Sequence, residues 1–116
     1  MHFKLIIALT EDSITDKVVE AARQKGATGS TVISSARGEG LQVAKTFLGL
    51  SLETQRDVIL LLVEEHMSRD ILETIELAGE FEANPGSGIA FSVDVEDAVG
   101  VSKQVSQLSE IVEEEI

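Results

Sequence analysis

Two glycine-rich turns, Gly38-Glu39-Gly40 and Gly86-Ser87-Gly88, are the parts of this sequence best suited to hold a ligand. Glycine permits backbone conformations in which successive N–H groups converge on an anion, and it lets that anion approach closely. Taken alone, each turn is better explained as a tight reversal of the chain. Residues for covalent chemistry are scarce. The chain has no cysteine, its two histidines (His2 and His66) have no nucleophile beside them in sequence, and Gly86-Ser87-Gly88 is only a fragment of a Gly-x-Ser-x-Gly elbow. No catalytic residue is expected, and the chain reads as a non-enzyme. His66 with Glu64 and Glu65 offers the donor types of a metal site. Acids at the start of a helix are accounted for by the helix dipole, so no metal site is expected there.

Length and composition bound what these turns can belong to. A chain of 116 residues fits one domain, read here as a core over 1–100 and a C-terminal helix over 101–116. A domain this small buries a modest share of its surface, which makes self-association a natural source of stability. The formal net charge of -12 repels phosphate backbones, so nucleic acid is not an expected partner. Without cysteine, disulfides and thiolate metal sites are excluded as well. The opening MHFKLIIALTEDS has too short an apolar run for a secretory signal, and no run approaches bilayer-spanning length, so a cytoplasmic protein is expected.

The elements that must position the turns follow from the apolar spacing. Residues 3–10, 30–35, 57–63 and 89–95 read as strands, the third of them (DVILLLV) the most apolar. Its unbroken run implies burial on both faces, or one face against helices and the other against another subunit. Ser13 reads as an N-cap, and Ile14, Val18, Ala21 and Ala22 then share one helical face that stops at Gly26. Met67, Ile71, Leu72, Ile75 and Ala78 mark a second helix ending at Gly79. Residues 43–55 have no clean period and read as a loop. Residues 82–88 hold the only proline and two glycines and read as another. Val101, Val105, Leu108, Ile111 and Val112 mark the C-terminal helix. The order βαββαβ with an added helix predicts an α+β, ferredoxin-like fold: an antiparallel sheet with helices on one face, the other left for a second subunit to cover.

The segments around the two turns carry a resemblance. Gly86-Ser87-Gly88-Ile89-Ala90-Phe91 with Val95-Glu96-Asp97-Ala98 looks like the Gly-Asp-Gly-Lys-Ile-Phe-Val stretch and trailing Val-Glu-Asp-Ala of the PII nitrogen-regulatory signal-transduction family. Gly29-Ser30-Thr31-Val32 and Arg37-Gly38-Glu39-Gly40-Leu41-Gln42 are similar to its Gly-Met-Thr-Val and Lys-Gly-Phe-Gly-Arg-Gln, with one inserted residue between the halves. The resemblance covers residues 1–102. Members of that family are homotrimers that bind adenine nucleotides between subunits and regulate transporters or enzymes through a mobile T-loop.

The resemblance implies a nucleotide site made of Arg37, Gly38, Glu39, Gly40 and Gln42 together with Arg56, Gly86, Ser87 and Gly88. Gln42 matches a glutamine of the family's Mg-ATP and 2-oxoglutarate site, Arg56 a nearby lysine, and residues 86–88 its phosphate-binding B-loop. Residues 43–55 match the T-loop in a shortened form, with Lys45, Phe47, Leu48 and Leu50 as candidate partner contacts. There is no tyrosine to be uridylylated. The departures bear on the ligand. The lysine after the B-loop is Ile89 here, two C-terminal arginines fall on Gly100 and Ser102, the B-loop aspartate is Ser87, and a T-loop arginine is Leu41. Each lost charge-assisted bond removes about 1.5–3 kcal/mol from a triphosphate site. No cofactor is obligatory on this reading. AMP, ADP or a small anion is the expected ligand, and a membrane transporter or metabolic enzyme the expected partner. The alternative is a trimeric ferredoxin-like protein of structural or ion-tolerance function that binds no nucleotide. The glycine turns favour the first reading, and the lack of paired Cys or His ligands counts against the second.

Overall fold

Alternation along the apolar runs decides which faces are buried. In strand β5 (Arg56–Glu64), Ile59, Leu61 and Val63 are buried while Val58, Leu60 and Leu62 are half-buried. Successive side chains of a strand point to opposite faces, so one face of β5 is fully covered and the other is not. Strand β1 (Phe3–Glu11) repeats the pattern, with Ile6 and Ala8 fully buried and Leu5, Ile7 and Leu9 half-buried. The computed structural model describes residues 1–36, 46–47, 50–51, 56–102 and 105–106.

The remaining elements, in chain order around β1 and β5, are helix α1 (Thr15–Gln24), strand β2 (Thr31–Ala36), strands β3 (Thr46–Phe47) and β4 (Leu50–Ser51), helix α2 (Glu65–Gly79) and strand β6 (Gly88–Val95). The four long strands form one sheet in the order β2-β5-β1-β6, antiparallel throughout. With two helices between them in sequence, this is the α+β, ferredoxin-like fold. The core lies where α1 and α2 cover one sheet face: Val18 and Ala22 from α1 and Ile71 and Ile75 from α2 are fully buried with Ile6, Ile59 and Leu61.

The opposite face is apolar and only partly covered. Ile7 sits between Leu60 on one side and Phe91 on the other, and Leu5 between Leu62 and Val93. Exposure rises toward the sheet edges, to 51% at Ile33 and 42% at Val93. Such a contiguous apolar surface marks an interaction site.

Three local expectations change. Ser13 is not the cap of α1. It lies exposed in a short 3-10 turn (Asp12–Ile14), and no side chain caps the helix that follows. The buried hydroxyl near that end belongs to Thr15, which bonds Thr10 Oγ1 at 2.7 Å and donates to the Glu11 carbonyl at 3.3 Å. Residues 43–55 are not wholly irregular, because β3 and β4 pair as a short antiparallel ladder. Helix α2 ends at Gly79 as its spacing implies, but the left-handed residue that closes it is Glu80, at φ 54°. Its N–H donates to the Leu77 carbonyl and that of Phe81 to the Glu76 carbonyl, the double bond of a Schellman motif.

Of the expected C-terminal helix, Ser102, Val105 and Ser106 are helical, and Val105 N–H donates to the Val101 carbonyl at 2.9 Å. Residues 107–116 lie outside the described residues. Among the described residues no helix is long and apolar enough to cross a membrane.

Candidate functional site

The second glycine turn has a defined geometry that its composition foreshadows. Ser87 N–H donates to the Asn84 carbonyl at 3.0 Å, closing a four-residue turn with Pro85 at its second position and Gly86 at its third. Gly86 has φ 88°, the left-handed conformation that a type II turn requires there. Asn84-Pro85-Gly86-Ser87 is thus legible as a turn of this type from sequence. Gly88 is glycine for another reason: a Cβ there would stand 2.3 Å from Phe81 Cε1. The buried Phe81 ring lies against both Gly79 and Gly88 and so seats the turn on the end of α2.

Arg56 fastens the turn from the opposite side. Its Nη1 donates to the Ser87 carbonyl and its Nη2 to the Gly86 carbonyl, both at 2.7 Å. The Glu11 carboxylate stands 3.9 Å from Nη1. The arginine is only 2% exposed, and a buried guanidinium persists only where hydrogen bonds and a counter-charge replace its water. Glu11, which the sequence reading did not single out, is both that counter-charge and the backbone donor to the Ser87 carbonyl at 3.3 Å.

This fastening sets which backbone groups a ligand can meet. Thr10 pairs with Gly88 in the β1–β6 ladder, while Glu11 N–H bonds Ser87 O. Antiparallel strands alternate bonded and non-bonded pairs, so the Gly88 N–H is turned away from β1, toward the outer edge of β6. Ser87 Oγ is buried and has no hydrogen-bond partner among the described residues. A cavity of about 490 Å³ lies on the Arg56 side of the turn, with Glu11, Glu80 and Asn84 in its wall. A second, of about 810 Å³, lies between the turn and α2, with Arg69, Glu73, Glu76 and Glu82 in its wall. Among the described residues of both walls glutamates outnumber arginines. Ile89 lies opposite Leu9 in the ladder.

Of the expected site residues, Arg56, Gly86, Ser87 and Gly88 are brought together at this end of the sheet. Arg37, Gly38, Glu39, Gly40 and Gln42 lie outside the described residues, as do Lys45 and Leu48. Phe47 and Leu50 are Cα partners in the β3–β4 ladder.

The Glu64, Glu65 and His66 cluster resolves into a helix cap. Glu64 precedes α2, and its buried carboxylate accepts from His66 N–H at 2.8 Å and contacts His66 Nδ1 at 2.5 Å. Glu65 N–H donates to the His2 carbonyl at 2.9 Å. One ligand atom from each of the three lies within 4.8 Å of the others, but both oxygens of Glu64 are engaged by His66. The hydrogen bond to Glu64, and then its charge, raise the His66 pKa above its ordinary 6.5.

Comparison with known proteins agrees with this architecture. No curated protein matches the chain. Among solved structures, a PII-like signalling protein of Thermus thermophilus is 25% identical, with a TM-score of 0.60 over 82% of this chain and 87% of its own. CPII of Thiomonas intermedia, a nitrogen regulatory PII-like protein, is 20% identical in its apo form, with a TM-score of 0.62 over 82% of this chain and 90% of its own. The structure of CPII bound to ADP, AMP and acetate is 19% identical, with a TM-score of 0.59 over 83% and 90% of the two chains. The sequence matches the family Nitrogen regulatory protein P-II over residues 3–105, and the chain belongs to that family.

Proposed function

We propose that this chain is a non-enzymatic, cytoplasmic PII-like regulator that senses AMP, ADP or a small anion at the Gly86–Gly88 turn and acts through residues 37–55. The observation that carries this reading is a glycine turn, held from behind by Arg56, with more glutamates than arginines among the described residues beside it. An outward Gly88 N–H suits one or two phosphates. A triphosphate needs cations that Ile89, Gly100 and Ser102 do not supply. CPII, which shares the fold, has been seen with ADP and AMP, together with acetate or with bicarbonate. The open sheet face favours a homotrimer with the sheets turned inward, which would bring the turn of one subunit to the border of the next.

Calorimetric titration with AMP, ADP and ATP, with and without Mg²⁺, tests the ligand. AMP or ADP is expected to bind tightest, and clearly tightest binding of ATP would overturn the charge argument. On the output side, Phe47, Leu48 and Leu50, flanked by Lys45, are the proposed anchors for a membrane transporter or metabolic enzyme. Replacing Phe47 and Leu48 by Ser should abolish capture of that partner while leaving the oligomer and ligand affinity intact. Loss of the oligomer in this double mutant would instead assign the two side chains to the core.

A further inference from the structure

Helix α2 leaves part of strand β6 uncovered. The strand lies at the edge of the sheet, and α2 packs over both β6 and its neighbour β1. Residues directly opposite in an antiparallel pair share a face. Gly88, Ala90 and Ser92 stand opposite Thr10, Ala8 and Ile6, which are fully buried on the helix-covered face, so they face the helix layer too. All three are small. A groove of about 810 Å³ remains between strand and helix, with the Gly86–Gly88 turn in its wall. The half-buried Leu72 and the buried Phe81 line its inner part with Ala90, while Leu77 stands at its mouth with 73% of its surface exposed.

The rim has the opposite character. Glu73, Glu76 and Leu77 share one stripe of α2 with its closing residue Glu80, and Glu82 follows two residues later. Like charges at this spacing repel, and α2 has no basic residue in its last turn to offset the negative end of the helix dipole. Arg69, the one arginine among the described residues of the wall, is bonded to Glu73 at 2.9 Å. We propose that this groove docks a segment of another protein that carries an apolar side chain flanked by lysines or arginines. The apolar side chain enters between Leu72, Leu77 and Ala90, and the flanking cations meet Glu76, Glu80 and Glu82. Charge complementarity selects this occupant over the two nearest to hand. A second copy carries a net charge of -12, and the chain's own C-terminal segment carries the run Glu113-Glu114-Glu115. A trimer with its sheets turned inward would keep α2 on the outer surface. The surface is separate from residues 37–55, and the proposal goes beyond the ligand reading above without resting on it.

Selection of displayed random peptides on the immobilised, unsubstituted protein, without nucleotide, tests the chemistry of the occupant. Enriched sequences should combine Leu, Ile or Phe with Lys or Arg. Enrichment of acidic or uncharged sequences, or of none, would overturn the proposal. The leading peptide, synthesised and titrated, should move the amide resonances of Glu73, Leu77 and Ala90. Leu77→Ser, at an exposed position that the fold does not need, should weaken it about tenfold, the effect of leaving one leucine unburied. Glu76→Gln with Glu82→Gln should weaken it about fivefold at low salt and flatten its salt dependence. Asp12→Asn with Asp16→Asn removes the same charge from the exposed start of α1 and should leave the affinity within about twofold. Unchanged affinity in Leu77→Ser, or equal losses in the two charge pairs, would overturn the proposal. So would a changed mass of Leu77→Ser in light scattering, which would assign the groove to contact between copies. With nucleotide absent throughout, failure of the ADP titration leaves each of these outcomes as it stands.

Discussion

Arg56 Nη1 and the Ser87 carbonyl oxygen, 31 residues apart in the chain, meet at 2.7 Å across the end of a strand that belongs to neither. The sheet ladder cannot make this connection, because β5 and β6 are not neighbours. The Arg56 side chain therefore joins the Glu11 N–H and the Phe81 ring in fixing the turn, and the two glycines of the turn need not both be explained by a ligand.

Gly88 is the sharper case. Gly88→Ala should destabilise the protein by about 1–3 kcal/mol, the usual cost of overpacking a filled site. The added methyl collides with Phe81. In a Phe81→Leu background the same substitution should cost clearly less. Urea unfolding of the two single variants and the double variant measures the coupling. An unchanged cost in the Phe81→Leu background would refute the packing explanation.

Glu80 offers a change in the opposite direction. A left-handed conformation at φ 54° is unfavourable for any residue with a Cβ, and this position of a Schellman motif usually holds glycine. Glu80→Gly should therefore raise stability by about 0.5–1 kcal/mol, net of the entropy that glycine adds to the unfolded chain. Chemical denaturation at fixed pH checks it.

The His66–Glu64 pair predicts a pH dependence of known sign. Because the folded pKa of His66 is raised above 6.5, its contribution is fully present below that pH and is lost as pH rises through the folded pKa. Glu64→Gln removes the charge while leaving an acceptor for the helix cap. NMR titration of the His66 ring should show its pKa falling back toward 6.5 in this variant, and the difference in unfolding midpoint between the two proteins should shrink at high pH. An unchanged ring pKa would show that Glu64 is not its cause.

The open face makes a prediction about assembly. Leu60, half-buried between Thr31 and Ile7, lies near the centre of that face. Light scattering coupled to size exclusion should give the mass of a trimer, and Leu60→Glu should give a monomer, because a charge cannot be buried there without a partner. A monomeric mass for the unsubstituted protein would remove the homotrimer from the proposal.

The sheet is legible because each strand is a short apolar or β-branched run bounded by a turn signal, and the helical spacing of Val18, Ala22, Ile71 and Ile75 gives their buried faces directly. Helix ends were less legible. Ser13 has the right chemistry for a cap, yet an intervening 3-10 turn moves the helix start to Thr15, and Glu64 caps α2 although glutamate is not among the preferred cap residues. Both outcomes depend on how the chain enters the helix from a strand, which composition does not encode. At the site, the type II turn could be read from Asn84-Pro85-Gly86. The resemblance groups Arg56 with the turn, but its role as a brace beside Glu11 could not be read, since nothing in the spacing of Arg56, Glu11 and Ser87 announces that three strand ends converge.

The pairing of Ala36 with Arg56 has a bearing on how this protein could be altered. Because the chain departs and returns through one ladder pair, whatever lies between them closes a loop whose ends are already fixed. Loop-closure entropy grows only logarithmically, about 0.6 kcal/mol for each doubling of length. Lengthening, trimming or exchanging residues 37–55 should then cost the sheet little, provided Arg56 and the turn it holds are kept. On that account the domain should act as a socket, into which segments of different length can be fitted between Ala36 and Arg56.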